Sequence, residues 1–189
     1  MSLAVRLQPW SRLSLRLRLG PLVAALLLGV GACRPALALD AHPLKAAVVF
    51  NLLGFVQWPG ESDLPPMTPL RLCAERGGPL WPHLLALNDR VVRQFRLVLR
   101  ELPGADNGPP CDVLLVEREG GARRLPARTG PPSPVLLIGD AEGGAEPGVV
   151  IALQMRGDRV AFDIDLAAAR RSSLQVSSKL LRLARSVRE

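Results

Sequence analysis

Two short, unbroken apolar runs, CDVLLVE at 111–117 and PVLLIG at 134–139, limit the folds open to this 189-residue chain. A strand with one wet face alternates apolar and polar residues, whereas a strand covered on both faces reads as continuous hydrophobe. Strands of the second kind lie inside a sheet flanked by helices on both sides. The neighbouring sequence supplies the rest of such a sheet. A strand at 70–75 leads through Gly77-Gly78 to a helical stretch at 79–89, and FRLVLRE at 95–101 alternates like a half-exposed strand at or near an edge. A weak helix is expected at 118–128. Segments 149–155 and 159–165 are joined by Arg156-Gly157-Asp158, a hairpin signal. The expected fold is a layered α/β domain.

The expected helices differ in character. Residues 42–58 (HPLKAAVVFNLLGFVQW) are apolar nearly all round, with Lys45, Asn51 and Gln57 as the only strongly polar groups. Such a helix is buried or covered by a partner, and Pro59 is expected to stop it. Near the C-terminus Asp165 precedes LAAARR as an N-cap. A last helix places Val176, Leu180, Leu183, Ala184 and Val187 on one stripe, for packing on the sheet.

Residues 1–38 read as an export signal: four arginines, an apolar run at 21–32, then small residues at Ala36 and Ala38. The alternative is a lipoprotein signal, Val30-Gly31-Ala32-Cys33, with a lipid anchor on Cys33. Residues 39–189 are then a single domain, expected outside the cytoplasm. The formal net charge of +7 is misleading, because 1–38 hold five arginines and no acid. Without them 19 basic residues face 17 acidic ones, a net of +2, which leaves no footprint for nucleic acid. Cys73 and Cys111 remain, and an even pair in an exported domain reads as a disulfide between two strands. The rival is a metal site or reactive thiol, and with His42 and His83 as the only histidines no closely spaced ligand pair supports it.

Catalytic motifs do not turn up: no nucleophile elbow, phosphate loop, dinucleotide fingerprint or HExxH pair. Asp163 and Asp165 share a strand face and could act as paired acids. The favoured reading makes Asp165 a helix cap and Asp163 a surface group, with His83 in a structural role. No enzyme activity, cofactor or metal is therefore expected.

At 45–59 (KAAVVFNLLGFVQWP), 70–73 (LRLC), 111–116 (CDVLLV), 134–148 (PVLLIGDAEGGAEPG) and 159–185 (RVAFDIDLAAARRSSLQVSSKLLRLAR) the sequence resembles the YfiR family of periplasmic proteins. The Trp-Pro end of the first helix and SSKLLRLA are the specific parts. Phe50 stands where that family commonly has tyrosine, and Asp165 where it has asparagine. The resemblance implies a Rossmann-like α/β fold without a nucleotide site, a homodimer, and a Cys73–Cys111 disulfide. It also implies a non-enzymatic role. The protein would hold inactive the periplasmic domain of an inner-membrane diguanylate cyclase or other sensor, lowering cyclic di-GMP and biofilm formation, and an outer-membrane lipoprotein would sequester it. The rival readings are a periplasmic small-molecule binder and an envelope lipoprotein.

The residues themselves suggest where partners sit. The first helix carries more apolar surface than one sheet face covers, so Phe55 and Trp58 are expected at a dimer contact. The strand-to-helix junction with Asp163, Leu166, Arg170, Arg171 and Leu174 is expected to meet the sensor.

Overall fold

A computed structural model describes residues 40–102, 110–117, 134–140 and 147–189. The expected export signal, Cys33 and the expected helix at 118–128 lie outside the described residues.

In chain order the elements are α1 (Ala41–Leu53), β1 (Val56–Gln57), β2 (Thr68–Ala74), α2 (Trp81–Leu85), β3 (Val91–Val92), β4 (Phe95–Glu101), β5 (Val113–Val116) and β6 (Leu136–Asp140). There follow β7 (Ile151–Arg156), β8 (Arg159–Asp165), α3 (Leu166–Arg171), β9 (Gln175–Val176), α4 (Ser178–Leu183) and β10 (Ser186–Arg188). Among the described residues the main sheet has eight strands in the order β10-β8-β7-β6-β5-β2-β4-β3. Strands β7, β6, β5, β2 and β4 run parallel, and the β7–β8 and β3–β4 pairs are antiparallel. This is the Rossmann-like layered α/β fold, with a mostly parallel sheet and helices flanking it.

The two apolar runs form the middle of that sheet. Val113, Leu115, Leu136 and Ile138 are fully buried, and residues 136–139 of β6 pair one by one with residues 113–116 of β5. The hairpin forms as expected: Arg156 pairs with Arg159, and Gly157 takes a positive φ of 62°, which glycine adopts without strain. FRLVLRE is β4 in full, next to the edge, where only the two residues of β3 lie outside it.

Several boundaries differ from expectation. Helix α1 ends at Leu53, well before Pro59, because the chain turns at Gly54 and Phe55 and β1 pairs antiparallel with β9. The helix at 79–89 shrinks to the five residues of α2 and then breaks into turns, with Asp89 at φ 62°. The last helix stops at Leu183, where the backbone of Ala184 becomes extended and continues into β10, parallel to β8. Of its expected stripe only Leu180 is fully buried, while Leu183 is 61% exposed and Val187 38%.

Helix α1 hides its apolar surface within the chain itself. Ala46, Val49, Leu52 and Leu53 join the core, Val48 and Phe50 pack partly against it, and the wet row is only Pro43, Ala47 and Asn51. The one charged residue along it, Lys45, is buried and paired: its Nζ lies 2.7 Å from Asp140 Oδ1 at the end of β6. Removing one partner of such a pair strands the other charge out of water. Lys45→Met should therefore lower stability by about 3–5 kcal/mol. Adding Asp140→Leu should recover much of that loss in a denaturant midpoint.

Cys73 and Cys111 form the expected disulfide, with Cα atoms 5.9 Å apart and both residues buried. Cys73 lies in β2, but Cys111 precedes β5 rather than lying in it. Beside the bridge Asp112 accepts hydrogen bonds from Arg71 N, Nε and Nη2 at 2.8, 2.9 and 3.0 Å. Bridge and ion pair together pin the start of β5 to β2. Closing a loop of 38 residues stabilises by about 4 kcal/mol in the chain-entropy model. Intact mass after alkylation should find no free thiol at Cys73 or Cys111, and Cys73→Ala should cost about 2–5 kcal/mol in thermal unfolding.

Candidate functional site

The junction after β8 is built on Asp163 and Asp165. Asp165 caps α3, its Oδ1 accepting from Ala168 N at 2.7 Å, as the sequence suggested. Asp163 is not a surface group. It is buried, and its carboxylate accepts from Arg185 Nε (2.8 Å) and Nη2, Ser186 Oγ (2.7 Å) and Gln154 Nε2 (3.3 Å). The hydrogen bond from Arg185, then those around it, hold its carboxyl below the usual carboxylate range against the opposing effect of burial. Two aspartates committed in this way are not free to serve as an acid pair. Their work is to clamp the C-terminal segment: Arg185 grips Asp163, and Arg188 reaches Asp165 at 3.3 Å.

Of the residues expected to meet a sensor, Asp163 and Leu174 are buried, and Leu166 is half-buried against the core. Arg170 and Arg171 are exposed at the end of α3. The surface at this junction is therefore cationic and carried by two arginines. Of the expected dimer residues, Trp58 is only 8% exposed and stacks edge-on against Phe95 at 6.0 Å. Phe55 packs partly against the core, with Lys179 Nζ 5.7 Å from its ring. The premise that α1 has surplus apolar surface is corrected by its coverage within one chain.

A second cluster went unread in the sequence because its members are far apart along the chain. From β2 the chain crosses to β4 on one flank and returns to β5 on the other. Such a switch point in a parallel sheet opens a crevice at the carboxyl ends of its strands, where ligands bind in many α/β proteins. Glu117, just after β5, accepts from Leu80 N at the start of α2, at 2.7 Å. Its other oxygen, Oε2, is buried without a hydrogen-bond partner against Gly78, where an added Cβ would stand 1.6 Å away. Gly78 is thus glycine for want of room.

Burial chiefly, then the charges of Asp140 and Glu75, push the Glu117 carboxyl above its ordinary value; Leu80 N–H and His42 oppose them. The folded state therefore holds this proton more tightly than the unfolded chain. Its contribution is most favourable below the unfolded value, near 4.3, and declines as pH rises through the folded one. Glu117→Gln keeps an acceptor for Leu80 N without the charge. Denaturant midpoints should show the variant more stable than the parent at neutral pH, with the difference vanishing at pH 4.

Residues 42–185 match the model of the YfiR/HmsC-like family. The match spans nearly all of the described fold, and the chain belongs to that family. Membership associates it with periplasmic regulation of diguanylate cyclase signalling. The disulfide fits an oxidising compartment. Among the described residues no helix is long and apolar enough to cross a membrane, and no group of three or more His, Cys, Asp or Glu is arranged to hold a metal ion.

Proposed function

We propose that this chain is a non-enzymatic periplasmic regulator that binds the periplasmic domain of an inner-membrane diguanylate cyclase and holds the cyclase inactive. The observation that carries the reading is the family match over residues 42–185. An outer-membrane lipoprotein that sequesters the regulator would release the cyclase. The sensor contact is assigned to the exposed end of α3, with Arg170 and Arg171 as its charged contacts and the half-buried Leu166 beside them. Clamping by Asp163 and Asp165 makes this end of the domain rigid, and a rigid surface loses little entropy on binding. The partner face that fits it is acidic.

Deleting the gene should raise cellular cyclic di-GMP, and a chain lacking residues 1–38 should fail to restore it. Charge reversal at Arg170 and Arg171 should abolish repression with stability altered by no more than about 0.5 kcal/mol per site, since both side chains are in water. Normal repression by that double variant, with its melting temperature unchanged, would remove the end of α3 from the contact.

A further inference from the structure

Charge is unevenly spread along the expected mature domain. Residues 39–165 hold 13 basic and 16 acidic side chains, whereas 166–189 hold six basic ones with Glu189 as the single acid. The surplus cations of a nearly neutral chain are thus gathered in the segment of α3, α4 and β10. Two of the six are neutralised, Arg185 by Asp163 and Arg188 by Asp165. Among the described residues no acid pairs with Arg170, Arg171, Lys179 or Arg182, and all four are exposed.

Helix α4 presents two of these cations with apolar surface beside them. Lys179, Arg182 and Leu183 stand at i, i+3 and i+4, which puts them on one outward face, while Leu180 is buried beneath. Leu183 is 61% exposed, since Ala184 turns extended and Arg185 is drawn to Asp163, which ends the helix before the expected stripe can dock. Lys179 Nζ lies 5.7 Å from the ring of the half-buried Phe55, so an aromatic ring adjoins the same face.

Such a face needs a partner that supplies anions and hydrocarbon together. An acidic protein surface would satisfy the cations but press Leu183 against carboxylates. A bilayer offers phosphates and, just beneath them, acyl chains, so long cationic side chains reach the headgroups while apolar neighbours dip below. We infer that the outer face of α4 rests on an anionic lipid bilayer, with Lys179 and Arg182 on headgroup phosphates, Leu183 at the acyl boundary and Phe55 flanking it. Each cation strengthens such a contact about fivefold, so the few present make it reversible, unlike the insertion of a spanning helix. The inference rests on charge and exposure and not on the regulatory reading, so either can fail without the other.

Vesicle co-sedimentation tests it, with protein exported through its own leader and purified from the soluble periplasmic fraction. Phosphatidylcholine vesicles containing phosphatidylglycerol should bind it at least about tenfold more tightly than phosphatidylcholine alone. Salt at about 1 M, which shortens the screening length to about 3 Å, should remove most of that preference. Lys179→Ala combined with Arg182→Ala should weaken binding about thirtyfold. Leu183→Ser should weaken it about fivefold. Melting temperatures should stay unchanged, since all three side chains are exposed. Arg159→Ala, at the end of β8 away from β10, should bind like the parent. The inference is overturned by equal binding to both vesicles, or by binding to neither, which would give the face to an acidic protein. It is overturned equally by a matching loss in Arg159→Ala, or by parent-like binding of the double variant or of Leu183→Ser.

Discussion

A parallel strand that is apolar on both sides has to be covered twice, and that requirement governs this domain. Val113, Leu115, Leu136 and Ile138 at the sheet centre have no wet face, so helices must lie over them. Helix α1 meets the need with Ala46, Val49, Leu52 and Leu53. Because it lies so deep, its one charged side chain along the way goes under with it. Lys45 is tolerable there only because β6 ends in Asp140 at hydrogen-bonding distance. The position of the helix and the last residue of the strand are thus linked by one ion pair.

Local chemistry made much of this legible. The alternation in FRLVLRE gave β4, the Arg-Gly-Asp turn gave the β7–β8 hairpin, and the carboxylate of Asp165 before three alanines gave the cap of α3. Errors came where a distant segment overrides local preference. Residues 56–57 follow the helical pattern, yet they pair with Gln175–Val176 more than a hundred positions away. Residues 184–188 continue a helical stripe, yet Arg185 is drawn to Asp163 and the backbone beyond it pairs along β8. Neither competitor appears in a window of neighbouring residues.

The same reason hid the functional groups. Asp163 looks like a surface carboxylate from its strand position, and only the return of Arg185 and Ser186 makes it a buried clamp. Glu117, Leu80 and Gly78 are unremarkable singly. Together they meet at the carboxyl end of β5, where Glu117 holds the start of α2 against Gly78.

Two carboxylates, three strands apart in the sheet, bound the pH range in which the domain is firmest. Glu117 is raised by burial, so its contribution weakens as pH climbs through its folded value. Asp163 is lowered by Arg185, so its contribution is complete above the unfolded value and fades as pH falls through the folded one. The losses also fall in different places. Protonating Asp163 loosens β10 and the C-terminal clamp, next to the arginines assigned to the sensor contact. Ionising Glu117 strains the crevice where α2 begins, on the other side of the sheet centre. Falling pH thus acts on the proposed binding end through its clamp, whereas rising pH acts on the start of α2 through Glu117.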